Sequence, residues 1–151
     1  MRHVRQKAGS DLLLKTLAEF RYELRRFLHF SEGVALDRGL HPQQHQLLLQ
    51  VAGAWDASVV TIAYAAERLG LKHNSTVELV DRSEREGLLT RRADSNDKRR
   101  SLLELTGKGK RLLDSLASDH AKELKERAPR LIEALEKVRL HTDGSAGAEA
   151  R

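Results

Sequence analysis

Apolar positions recur at spacings of three and four residues over most of the chain and alternate in only one short region. Leu13, Leu17, Phe20, Leu24, Phe27 and Leu28 follow the helical period and predict a helix of roughly five turns over residues 10–30. Ser10 can cap its start, and Asp11 places a carboxylate in the first turn, where the helix dipole favours it. Leu12 and Leu14 widen the apolar surface beyond what one small core needs, which suits a well-buried helix or, as the preferred reading, a helix that also meets a second chain. Residues 31–40 hold two glycines and read as a loop or a short turn of helix. Pro42 after His41 opens a second helix carrying Leu47, Leu48, Val51 and Ala52, ending near Gly53 or Trp55. Residues 56–58 are a connector, and Val59 with Val60 reads as a minimal strand.

Between residues 59 and 106 the pattern becomes denser. Ile62, Ala66 and Leu69 mark a short helix that Gly70 can stop by turning left-handed. Asn74 or Ser75 can cap the next helix, on which Leu79 and Val80 form an apolar stripe. Two short helices joined by a glycine-containing turn are the pattern of a helix-turn-helix. The segments LLTRRA and RSLLELT, separated by the charged turn DSNDKR, then read as two strands of a β-hairpin wing.

Thr106 can cap a further helix bearing Leu112, Leu113, Leu116, Ala117, His120 and Leu124. Pro129 should kink or break it, since proline lacks an amide hydrogen and crowds the preceding turn. Leu131, Ile132, Leu135 and Val138 continue the stripe in a final helix. Residues 1–9 and 141–151 are polar or small and are expected to be disordered. The expected fold is mainly α: a winged helix-turn-helix domain over 10–140, with its head at 59–106. N- and C-terminal dimerisation helices at 10–30 and 107–140 flank that head, and a small β-hairpin forms the wing.

Composition narrows the function. A chain of 151 residues is expected to form one domain with its own core. No apolar run approaches the ~20 residues a bilayer requires, and the basic N-terminus lacks a signal-peptide core, so a cytoplasmic location without membrane partners is expected. The absence of cysteine removes disulfides, thiol chemistry and thiolate metal sites. The net charge of +5 suits a polyanionic partner, but residues 59–106 carry nine basic and eight acidic side chains. The excess is local, with five basic residues against Asp94 and Asp97 between Arg91 and Arg100. Bulk charge alone does not name nucleic acid as the partner.

The layout itself does. The outward candidates on the second head helix are His73, Asn74, Ser75, Val77, Glu78 and Arg82. Asn reads adenine bidentately, Ser reads either base type, Glu accepts from cytosine and Val meets a thymine methyl. Lys72 and Arg85 suit phosphates, which position without specifying. Each residue also has an ordinary explanation: Asn74 or Ser75 as a cap, and Glu78 with Arg82 as a surface pair. At the wing, Lys98, Arg99 and Arg100 lie at or near the tip. An Arg on a thin loop can enter a narrow minor groove, and Asp97 can hold it extended. A solvated turn explains the same residues more plainly.

The run from VTIAYAAERLG to LELTGKGKRLL resembles the winged helix-turn-helix of the multiple-antibiotic-resistance regulator (MarR) family. Its most specific part is G-L-L-T-R-R-x-D-x-x-D-K-R, followed at the right distance by Leu105, Thr106 and Gly109. The resemblance covers roughly residues 10–140 and implies a dimeric regulator, more often a repressor, that binds pseudo-palindromic operators. It implies Arg99 as the wing arginine, Asp97 as its acidic companion and His73 to Glu78 as the groove-facing start of the recognition helix. It also implies a small-molecule effector, whose identity and pocket the sequence does not give; Trp55, His41 and His45 are candidates by position. The chain departs from the pattern at Glu78, where many relatives carry Arg or Lys, and at Ser83, where an apolar residue commonly packs. Lack of cysteine excludes a peroxide-sensing thiol.

His41 and His45 are spaced to put two imidazoles on one helix face, but no third ligand accompanies them at useful spacing, and capping accounts for the pair more simply. No nucleophile–base order, phosphate loop or paired carboxylate marks an enzyme, and no cofactor is called for. The rival functions are an architectural DNA binder without sequence preference and a helical protein–protein adaptor that uses the wing to dock.

Overall fold

The computed structural model describes the backbone of residues 2–146 and the side chains of residues 10–141. The order is α1 (Arg2–Asp37), α2 (Pro42–Ala52), a 3-10 turn (Ala57–Val59), α3 (Ile62–Leu69), α4 (His73–Arg85), β1 (Leu89–Ala93), β2 (Ser101–Leu105) and α5 (Gly107–Ala146). Among the described residues no helix is long and apolar enough to cross a membrane.

The terminal helices are longer than the pattern predicts. α1 begins at Arg2 rather than Ser10, because residues 2–9 lack proline and are rich in good helix formers, so polarity alone does not break the helix. It also runs through residues 31–37, expected as a loop or a short turn of helix, because Ala35 is fully buried in the head and anchors that turn. The chain reverses later, at Gly39, whose φ of 71° lets Leu40 N donate back to Ala35 O at 2.9 Å. Pro129 does not divide the C-terminal segment, and one helix continues past it to Ala146. A mid-helix proline costs about 3 kcal/mol; here Arg127 and Arg130 grip α1 on both sides of it. Residues 141–146, expected to be disordered, extend that helix, since propagation from a long helix needs only one bond per residue. The rest of the expected tail, 147–151, and Met1 lie outside the described residues.

Two smaller expectations change as well. Val59 and Val60 form no strand: Asp56 Oδ1 accepts from Ser58 N at 2.8 Å and caps a 3-10 turn. A single bond from Leu103 N to Val60 O, 2.8 Å, ties this turn to β2, leaving a two-stranded antiparallel sheet. Neither Asn74 nor Ser75 caps α4, which starts at His73 after an extended Lys72 that makes no side-chain cap.

Backbone contacts divide the chain into two compact units, residues 32–119 and residues up to 31 with those from 120. The head therefore includes α2 and the start of α5. Its core joins Ala35, Leu47, Leu48 and Val51 to Ala65, Leu79, Val80, Leu88, Leu89, Leu103, Leu113 and Leu116. On α3 the fully buried residue is Ala65, while Ile62, Ala66 and Leu69 are half-buried.

In the other unit α1 and α5 are joined around Glu23, only 3% exposed. Its carboxylate accepts from Arg127 at 2.8 Å and Arg130 at 3.1 Å. His120 Nε2 lies 2.7 Å from Ser31 Oγ, with the Phe27 and Phe30 rings set edgewise to the imidazole. Burial pushes the Glu23 pKa up, but the bonds and charges of Arg130 and Arg127 together outweigh it and hold the carboxyl below the usual carboxylate range. A lowered folded-state pKa gives stability that is complete above the unfolded value and lost as pH falls through the folded one. Melting of wild type and Glu23→Gln should therefore differ most near neutrality and converge in acid. A gap that stays constant from pH 7 to pH 3 rules out this assignment.

Candidate nucleic-acid interface

The turn between α3 and α4 is built by Gly70. Its φ of 64° is open to glycine at no steric cost and allows Leu71 N to bond Ala66 O at 3.0 Å. The buried face of α4 is Thr76, Leu79, Val80 and Ser83, a stripe at i, i+3, i+4, i+7 that seats the helix on the core. Ser83 fits this buried stripe because its Oγ donates to Leu79 O at 2.8 Å. The opposite face presents His73, Asn74, Ser75, Glu78 and Arg82 to solvent, with Val77 half-buried beside them. Among the described residues the side chains of Asn74, Ser75, Glu78 and Arg82 have no hydrogen-bond or ion-pair partner, so the Glu78–Arg82 surface pair, the ordinary explanation of those two residues, does not form.

The wing pairs β1 with β2 from Leu89↔Leu105 to Ala93↔Ser101, and Arg92 reaches Glu104 across the strands at 2.6 Å. Asp94, 5% exposed, organises its tip by accepting from Asn96 N at 2.9 Å and lying 3.6 Å from the Arg100 guanidinium. Arg100 also reaches Ser58 O at 3.4 Å, so its guanidinium, next to the tip, is engaged by the protein itself. Asp97 Oδ1 accepts from both the backbone N and the Nε of Arg99, at 3.0 and 3.3 Å. The remainder of Arg99 stands free, with its side chain 92% exposed, and Lys98 is exposed beside it. A cation on a thin hairpin, oriented by its own carboxylate, can enter a groove of concentrated negative potential.

Arg91 is the residue that sequence reasoning missed. Its guanidinium bonds Asp81 and Glu84 of α4, each at 2.5 Å, and its backbone N donates to Glu84 Oε1 at 3.1 Å. Burial works to lower its pKa, but the two carboxylates outweigh that and raise it, so the charge is permanent. The wing and α4 are thus fastened together. The signal was present as two acids three residues apart followed by an arginine in the next strand, but only the fold brings them together. At the wing's other end Thr106 N donates to Leu88 O at 3.1 Å, and Thr106 Oγ1 accepts from Gly109 N at 3.0 Å, capping α5 as expected.

The remaining candidates separate. Lys72 is exposed at the start of α4, and Arg85 Nε bonds Asp81 O at 3.4 Å with its side chain outside. His41 caps α2, accepting from Gln43 N at 3.3 Å, whereas His45 is buried in the head. Trp55 is fully exposed on the loop after α2.

Comparisons place this geometry. The model of the MarR family matches residues 38–100, and no curated protein matches the chain. The fold is that of a MarR family transcription regulator of known structure, with a TM-score of 0.74 and 20% identity over 97% of each chain. An S. aureus MepR mutant bound to an oligodeoxyribonucleotide is similar at a TM-score of 0.59 and 20% identity, over 85% of this chain and 94% of that one. CouR from Rhodococcus jostii, bound to p-coumaroyl-CoA, is similar at 0.59 and 22%, over 75% and 83%. The MarR family model thus matches the head over residues 38–100, and nearly the whole chain has the fold of a MarR family transcription regulator.

Proposed function

We propose that the protein is a sequence-specific DNA-binding transcriptional regulator acting as a homodimer, and a ligand-responsive repressor in particular. The observation that carries this is the pairing, within one head, of a partnerless polar helix face with a hairpin tip. Asn74, Ser75, Glu78 and Arg82 supply the first, and the oriented Arg99 supplies the second. In this reading His73, Asn74, Ser75, Val77, Glu78 and Arg82 face the major groove. Lys72 and Lys98 meet phosphates, and Arg99, steered by Asp97, enters the minor groove.

Dimerisation is supported by α1 and α5, where Leu12, Leu14, Leu17, Leu24, Ile132, Leu135 and Leu140 remain 39–63% exposed in the single chain. Such a surface is costly to leave in water and is covered economically by a second copy. Two heads related by a two-fold axis reach successive major grooves, about 34–36 Å apart. An effector acts by favouring a head separation that no longer suits the operator, and its leverage equals its difference in affinity for the two states. The CouR complex supports a small-molecule effector by likeness of fold.

Selection of bound duplexes from random DNA tests the proposal. A two-fold motif with half-sites one helical turn apart is expected, bound at least ~10³-fold more tightly than scrambled duplex. Binding without an enriched motif indicates the architectural alternative. A stable monomer, or indifference to every duplex at low ionic strength, indicates the adaptor.

A further inference from the structure

The acids of the recognition helix are treated unequally by the fold. Asp81 and Glu84 are both bonded to Arg91, and Glu86, at the helix end, accepts from Gln44 Nε2 at 2.9 Å. Of the acids on α4, only Glu78 is exposed and, among the described residues, has no partner, although Arg82 stands one turn away. It sits in the outward line Asn74, Glu78, Arg82, whose four-residue spacing places all three on one face.

We propose that Glu78 is the residue that sets base specificity, by requiring cytosine at one fixed position in each half-site. The inference rests on the DNA-reading function proposed above. An ionised carboxylate accepts hydrogen bonds and donates none. In the major groove only the cytosine N4 and adenine N6 amines donate, and adenine places its N7 acceptor beside its amine while guanine presents two acceptors. A carboxylate there is matched by cytosine and opposed by guanine, and on non-cognate DNA it adds repulsion from the phosphates. Holding Asp81 and Glu84 out of reach through Arg91 confines that demand to one side chain. Specificity at this position arises as much from rejection as from attraction.

The test compares motifs selected from random duplexes by wild type, Glu78→Gln and Glu78→Ala at one salt concentration. Glu78 has no internal partner, so both variants should melt as wild type does. Wild type is expected to fix a cytosine at a symmetric position in both half-sites. Glu78→Ala should leave the rest of the motif intact but lose the preference at that position, roughly five- to tenfold between duplexes differing there alone. Glu78→Gln should shift the position towards adenine, which glutamine reads bidentately. Scrambled duplex should be bound more tightly by both variants. An identical motif from all three proteins overturns the Glu78 assignment while leaving the regulator intact. Absence of any motif from wild type overturns the regulator and the assignment together.

Discussion

Replacing Gly109 by alanine is expected to lower the melting temperature by roughly 10 °C. The cause is local and geometric. A Cβ at Gly109 would stand 2.0 Å from Leu88 O and 2.9 Å from Leu88 C. These are backbone atoms, and they cannot swing aside as the end of a long side chain could. Leu88 O is also the acceptor for Thr106 N, so moving it loosens the bond that joins the wing to α5. Overpacking of this kind costs about 3 kcal/mol at its upper range. Thermal unfolding followed by circular dichroism measures it, and a shift below about 2 °C would mean that the first turn of α5 yields more easily than the packing indicates.

The second large effect is on binding. Arg99→Ala should weaken association with the selected operator roughly ten- to a hundredfold, the range associated with a hydrogen bond to a charged group. It should also flatten the dependence of log affinity on log salt by up to about one unit per wing if the guanidinium displaces a counterion. Stability should hardly change, because the side chain is almost wholly exposed and, among the described residues, its ion-pair partner is the neighbouring Asp97. Asp97→Ala should give a smaller loss, since the cation remains but is no longer held extended. Titrations at several salt concentrations separate these outcomes. Unaltered affinity and slope for Arg99→Ala would exclude the wing from DNA and favour its use as a protein-docking hairpin.

How legible the molecule was in its sequence depended on how local the physics was. The hairpin, the glycine stop at Gly70 and the Thr106 cap are decided within a few residues of chain, and the structure has all three. Helix ends at α1 and α5 were less legible. Gly33 and Pro129 are local signals to stop, overridden by the burial of Ala35 and by the grip of Arg127 and Arg130 on Glu23, contacts made with distant parts of the chain. The outward face of α4 could be read from periodicity, whereas its internal charge balance could not. Arg91 reads in sequence as one more basic residue of the wing, and only the juxtaposition of β1 with α4 shows it to be occupied by Asp81 and Glu84. Asp94 likewise looks like a turn-former and is in fact the buried support of the tip.

The Arg91 clamp limits how such a reader can be controlled. In the ligand-responsive dimer proposed above, with the hairpin locked to the helix beside it, a signal molecule has little scope for loosening one contact while keeping the other, so each head would grip or release as a piece. Control would then fall on the distance between grips. Operators lengthened or shortened by a single base pair should mimic the liganded state without any ligand, whereas breaking the clamp with Arg91→Ala should make the protein tolerant of such spacing errors.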